Sequence, residues 1–313
     1  MSLSTILGLG QTALELALFN SLTVLALFLS YSMLNVCDLS TDGCFALGAA
    51  VGAVVAIAGH PWLSIPAAMG AGMLSGLVTA VLQTRMGVNS LLAGIIVNTG
   101  LYSVNIWIMG GSSLLNMNKT VTVFSLLKQA LKDTALGGQY ALVIGLAAVA
   151  LVVVFLSLFL RTRMGLAIRA TGNNPDMVRS SSINPVFTTT VGLVISNSFT
   201  ALSGCLLAQS QKSVTVDIGS GMVTVALASL LIGGVFLGRR SIPARAVGAV
   251  LGAFVFRLVY TIALRFNLPA FMLKLISSLI VVAAISGPYL KKQLPLLRRR
   301  LRSHMGRAGE PRC

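Results

Sequence analysis

Residues 140–160 read YALVIGLAAVALVVVFLSLFL, a run of 21 positions with no charge and Ser157 as the polar residue of its interior. A helix that crosses the hydrocarbon core of a bilayer needs about 20 consecutive apolar residues. The segment meets that length, and a helix this uniformly apolar faces lipid. Moving outward, comparable segments fall at 12–34, 43–59, 65–83, 88–110, 186–210, 222–238, 246–265 and 269–287. The expectation is therefore an all-α, polytopic transmembrane helix bundle of about nine spans (eight to ten). The second and seventh are short and Gly-rich, so they are expected to be tilted, broken or half-spanning. Composition agrees: 56% of the 313 residues are hydrophobic, 10% are charged, and mean hydropathy is +0.90. A soluble domain carries about 25% charged residues, so an ordinary globular protein is excluded.

The 23 Lys and Arg against 7 Asp and Glu give a net charge of +16. Aromatic-interleaved basic patches are missing and most cations sit between apolar runs, so no nucleic-acid partner is expected. Cytoplasmic loops carry an excess of Lys and Arg. With 161–185 placed inside and the spans alternated, 16 cations fall inside and 5 outside. The C-terminus is then cytoplasmic and the N-terminus external. The N-terminal run lacks a preceding cation and a cleavage site, and reads as an uncleaved first span. Residues 111–139 form the longest external connection, whose VTVFSLLKQALKD stretch (121–133) reads as an amphipathic helix on the membrane surface. Residues 1–290 form one transmembrane domain. Residues 291–313, with Arg298, Arg299, Arg300 and Arg302, form a basic cytoplasmic tail attracted to anionic membrane lipids. Cys37, Cys44, Cys205 and Cys313 show no Cys-x-x-Cys spacing and read as small apolar residues, with no metal site.

Three Gly-x-x-x-Gly pairs, Gly48/Gly52, Gly72/Gly76 and Gly248/Gly252, allow helix backbones to approach closely, and their expected role is packing within the bundle. Asn98, Tyr102 and Asn105 follow i, i+4, i+7 spacing and share one face of the fourth span. Ser196, Asn197, Ser198, Thr200 and Ser203 enrich the sixth. Amides in hydrocarbon are costly unless paired or wetted, which leaves two readings: glue between helices, or the lining of a hydrated substrate path. Asp38 and Asp42 flank the second span, and acidic residues are otherwise scarce near span centres. That scarcity counts against an ion-coupled secondary carrier, which needs buried carboxylates. Arg257 is the intramembrane cation nearest a span centre, a candidate site residue paired with Asp38 or a carbonyl, in a functional or a structural role. Catalytic residues are not expected: His60 and His304 are the only histidines, and no Gly-Lys pair exists from which a Walker A loop could form.

The segment 161–185, RTRMGLAIRATGNNPDMVRSSSINP, is too long for a tight turn. It reads as a small helix beneath the membrane that displays Arg169 and ends at Gly172, followed by a second helical turn opened by Pro175. On residues alone, a solvated connector is an equal reading.

This segment resembles the cytoplasmic coupling loop of ABC importer permeases of the ribose and branched-chain amino-acid class. Gly165, Arg169, Ala170, Gly172, Asn174, Arg179, Ile183 and Asn184 match that family's pattern, while Ser182 stands where the family has a Gly. CDLSTDGCFALGAAVGA at 37–53 and IGGVFLGRRSIPARAVGAVLGA at 232–253 resemble two further family stretches. Phe256, Arg257, Leu273, Lys274 and Leu275 look most like the branch that includes tryptophan/tyrosine uptake permeases. The resemblance implies a permease subunit without its own ATPase, in the bacterial cytoplasmic membrane, importing a small solute such as an amino acid. It implies partners: cytoplasmic ABC ATPase subunits holding the ATP and Mg, a substrate-binding lipoprotein, and a second permease copy. Gly165, Arg169, Ala170, Gly172, Asn174, Pro175 and Arg179 would couple to the ATPase, and Asp38, Asn98, Tyr102, Asn105 and Asn197 would belong to the substrate path. The alternatives are a secondary carrier and a non-transport membrane scaffold.

Overall fold

The computed structural model describes residues 3–130, 139–237 and 241–264, together with positions 275, 278–282 and 286. The helices are α1 (Leu3–Leu27), extended by a π-helical turn at Phe28–Met33, then α2 (Thr41–Ile57), α3 (Ser64–Thr84) and α4 (Ser90–Ile108). They continue with α5 (Val123–Ala130), α6 (Tyr140–Phe159), α7 (Arg163–Asn173), α8 (Pro175–Ser180), α9 (Pro185–Gln211), α10 (Met222–Leu237) and α11 (Ile242–Leu264). Among the described residues seven helical segments are long and apolar enough to cross a membrane, and α2 is a shorter apolar helix. The protein is an all-α polytopic bundle. Most of the expected ninth span, Arg239, Arg240, Lys274 and the basic tail lie outside the described residues.

The short spans have distinct causes. After the π turn the chain leaves helical geometry at residues 35–40, with Asn35 at φ 58°, and α2 begins beside the middle of α9. It therefore covers only part of the bundle's depth. Helix α10 is 16 residues long, but the 3-10 turn Val216–Gly219 extends its apolar segment to 22.

Helix α9 is the centre of the bundle, packed against α3, α2 and α1, with 83% of its apolar window buried. Its hydroxyls serve as glue, because in lipid a buried polar group must find an internal partner. Ser196 Oγ donates to the Ala26 carbonyl of α1 (2.8 Å), and Ser203 Oγ donates to that of Phe19 (2.6 Å). The glycine pairs pack within the bundle. A Cβ on Gly72 or Gly76 of α3 would press on the carbonyls of Asn197 and Leu193, and one on Gly48 of α2 on the Ala201 backbone. Gly252 of α11 lies as closely on Ser229 of α10. Helix α6 is the opposite case: only 22% of its window is buried, through Ala141, Gly145, Val149, Val152 and Leu156, and Leu146, Leu151, Val154, Phe155 and Leu158 are exposed.

Two details depart from the sequence expectation. Strands β1 (Leu114–Asn116) and β2 (Ser213–Thr215) pair antiparallel at the end of the bundle where α4 and α9 finish. In addition, α5 does not lie free on a surface. Phe124 packs edge-on against Phe19 (5.6 Å), and the Val123 amide donates to Gln209 Oε1 (3.1 Å).

Candidate functional site

Helix α4 starts cleanly because the Asn89 side chain accepts from the Leu91 amide (3.0 Å), which satisfies one of the orphan donors of its first turn. From that start Asn98, Tyr102 and Asn105 reach one cavity of about 410 Å³. Asp42, Gly43 and Ala46 of α2 form a second wall, and Val216, Asp217 and Ser220 a third. Gly43 allows the approach: a Cβ there would meet Asn98 Oδ1 at 2.7 Å. Asn105 is 1% exposed and its Nδ2 donates to the Gly43 carbonyl (3.2 Å), while its Oδ1 has no partner. Thr99, Tyr102 and Ser103 are exposed on a helix long and apolar enough to span a membrane. A polar face of that kind is stable against water or a protein partner, not against lipid tails.

Asn197 and Asp38 do not join this cavity. Asp38 is 1% exposed: its Oδ1 accepts from the Ser40 amide (2.8 Å) and hydroxyl (2.6 Å), and its Oδ2 from Asn197 Nδ2 (2.8 Å). Thr79 Oγ1 of α3 donates to Ser40 Oγ (3.2 Å) and Cys44 Sγ to the Asn197 carbonyl (3.3 Å). The network joins the stretch before α2 to α3 and α9. Buried charge survives when it is hydrogen-bonded on several sides, and the irregular chain at 35–40 is held in this way. The expected Arg257–Asp38 pair is not formed. The Arg257 guanidinium lies over the Tyr260 ring at 5.0 Å, one turn along its own helix, and its Nε has no partner.

The sequence reading noted Asp42 beside the second span without assigning it to the site, and it did not single out Asp217. Asp42 caps a different helix: its Oδ2 accepts from the Gly221 amide (2.9 Å) and its Oδ1 from Val223 (2.8 Å), at the start of α10. Carboxylates favour helix N-termini because free amides and the macrodipole converge there. Asp217 is exposed, and its carboxylate has no partner among the described residues. Its sequence signal was one acidic residue between Val216 and Ile218 in the stretch before α10.

At the other end of the bundle, 161–185 folds as two helices. Thr162 Oγ1 accepts from the Gly165 amide to cap α7, and Asn174 Oδ1 accepts from Asp176 and Met177 to cap α8, with Pro175 in the first helical position. Helix α7 ends at Asn173, one residue beyond the expected stop, and Gly172 is not left-handed. Gly172 is instead a contact point, since a Cβ there would overlap the Met33 carbonyl and press on Leu34. Gly165 lies as closely on Phe159 and Leu160. Thr171 and Thr188 share a hydroxyl bond of 2.8 Å, tying α7 to the start of α9. Arg169 and Ala170 are half-buried, so Arg169 is not the displayed cation. Arg179 and Met177 of α8 are exposed, and Arg179 pairs loosely with Asp176 at 3.7 Å. A second cavity, of about 420 Å³, lies between Thr171, Pro175 and Arg179 and the turn after α3 at Gly87.

Among the described residues no group of three or more His, Cys, Asp or Glu could hold a metal ion. Comparison with known proteins places these features in context. The family model "Branched-chain amino acid transport system / permease component" matches residues 12–285. The tyrosine transport system permease protein of Clostridioides difficile is 30% identical over 271 residues, covering 86% of this chain and 88% of its own length. An uncharacterised protein of Rickettsia prowazekii is 29% identical over 88% of this chain and 96% of its own length. The fructose import permease protein of Bifidobacterium longum is 26% identical over 76% of this chain and 69% of its own. No solved structure matches. The chain belongs to the branched-chain amino acid transport system permease family, the membrane subunits of ABC importers.

Proposed function

We propose that this permease carries an amino acid inward along the α4 cavity, and that a partner ATPase drives it through 161–185. The observation that carries the reading is the polar face of α4: Asn98, Thr99, Tyr102 and Ser103 line a cavity together with Asp42. A second copy of the chain, set against that face, would close the path and shield it from lipid. The substrate class rests on the relative named for tyrosine transport. The orientation rests on the 16 cations assigned to the side of 161–185, which puts α7, α8 and the C-terminus in the cytoplasm. The extracytoplasmic end then receives solute from a binding protein.

Coupling has a physical route in this reading. Helix α7 touches Met33 and Leu34, which directly precede the stretch anchored by Asp38 to Asn197. A push on α7–α8 is delivered to the break between α1 and α2, and α2 forms one wall of the cavity. The ATPase shifts the permease only to the extent that it binds one state better than the other. The exposed Met177 and Arg179 supply a docking surface on which such a difference can act.

The test is Asn98→Leu in the assembled importer in proteoliposomes. Uptake should fall at least tenfold while membrane level and ATPase association are kept. Equal loss of protein and activity would show Asn98 to be packing glue.

A further inference from the structure

We infer that the α4 cavity is selective for solutes carrying a positively charged ammonium group, and that Asp217 with Asn105 is the set that reads it. The inference rests on the proposed path and deepens it. The lining holds two carboxylates, Asp42 and Asp217, and no cation among the described residues. Their situations differ. Asp42 is committed to the Gly221 and Val223 amides. The exposed Asp217 carboxylate has no hydrogen bond or ion pair among the described residues, which leaves it open to a ligand.

A separate observation points to a ligand donor. Asn105 is almost wholly buried, its Nδ2 is fixed on the Gly43 carbonyl, and the amide is thereby oriented with Oδ1 as its unused end. A buried acceptor without a partner is costly and is normally met by a donor. The carboxylates and Asn105 Oδ1 are thus acceptors, Asn98 offers both an acceptor and donors, and Thr99, Tyr102, Ser103 and Ser220 can turn their hydroxyls either way. Acceptors with net negative charge favour a group that donates several hydrogen bonds and carries positive charge. A primary ammonium does both, having three donors and no acceptor. A neutral sugar satisfies the hydroxyls but leaves the carboxylate charge uncompensated, and an anion is repelled. On this basis the cavity distinguishes an amino acid from the sugar class named for one of the relatives.

The test does not require the substrate to be known. Thr99→Cys is introduced into the otherwise native chain of the assembled importer in membrane vesicles, and labelling of the parent is subtracted. Two thiol reagents of similar size are applied from outside: the trimethylammonium-ethyl and the sulfonatoethyl methanethiosulfonates. Each rate is normalised to its reaction with a free thiol in solution. The cationic reagent should modify Thr99→Cys at least tenfold faster than the anionic one. Adding Asp217→Asn should cut that preference at least threefold, while Asp217→Glu retains it. Trp62→Cys, on the exposed Trp62 position away from the cavity, should show no effect of Asp217→Asn. Equal rates at Thr99→Cys, or a preference indifferent to Asp217→Asn, overturn the inference and leave the path standing. If Trp62→Cys is labelled but neither reagent reaches Thr99→Cys, the path itself fails.

Discussion

Replacing Asn197 by Leu separates a structural amide from a transport amide. Leu has nearly the shape of Asn, so the change leaves packing against α3 largely intact and removes mainly the amide chemistry. What is lost is the 2.8 Å bond to Asp38 Oδ2, on a carboxylate 1% exposed to solvent. Stripping a buried charged acceptor of a donor costs up to about 3 kcal/mol. Part of this is offset, because Asn197 Oδ1 is itself buried without a partner, and removing it relieves about 1 kcal/mol. The net expectation is a destabilisation of roughly 2 kcal/mol, with the Ser40 bonds still holding the other oxygen. On the scaling of mid-sized domains this lowers the unfolding midpoint by roughly 4–8 °C. The assay is thermal unfolding of the purified importer beside its level in the membrane, with Asn98→Leu as the contrast. Asn197→Leu should lower both the midpoint and the level, whereas Asn98→Leu should lower uptake alone. An Asn197→Leu protein that is as stable and abundant as the parent, yet inactive in uptake, would refute the reasoning and return Asn197 to the path.

Two further substitutions test the loop beneath the bundle. Ser182 holds φ 59°, a left-handed geometry that costs an L-residue roughly 1 kcal/mol and Gly almost nothing, so Ser182→Gly should raise the unfolding midpoint by a few degrees; a lower midpoint contradicts it. Gly172→Val places side-chain atoms where Met33 and Leu34 already lie, so membrane levels should drop severalfold on immunoblotting, and normal levels would show that α7 can retreat without cost.

The parts of the fold that were legible are those in which lipid dictates the residue type. Uniform runs such as 140–160 become spanning helices, and Gly48, Gly72 and Gly252 mark backbone contacts because side chains are excluded there. The α4 face was legible because helical spacing alone aligns Asn98, Tyr102 and Asn105. Long-range partnerships were not. Asp38 meets Asn197 across 159 positions and Asp42 caps a helix 179 positions away, and no local pattern encodes either pairing. Gly172 was expected to stop α7 and is instead a contact point within it. A glycine near a helix end serves equally as a left-handed stop or as a flat place for another backbone, and only the position of Met33 decides between them. Ser182 is the converse case: at φ 59° it holds a left-handed geometry without being a glycine.

The most direct test of the central claim, that an ATPase docked at 161–185 drives uptake, is a crosslink from the exposed tip of α8. Met177→Cys is placed in the importer, and inside-out vesicles are treated with a bifunctional thiol reagent. The account predicts that Met177→Cys joins the ATPase subunit, that ATP alters the yield, and that the crosslinked importer ceases ATP-driven uptake. Labelling of Met177→Cys by an impermeant reagent from outside intact cells, or full uptake after complete crosslinking, would contradict it.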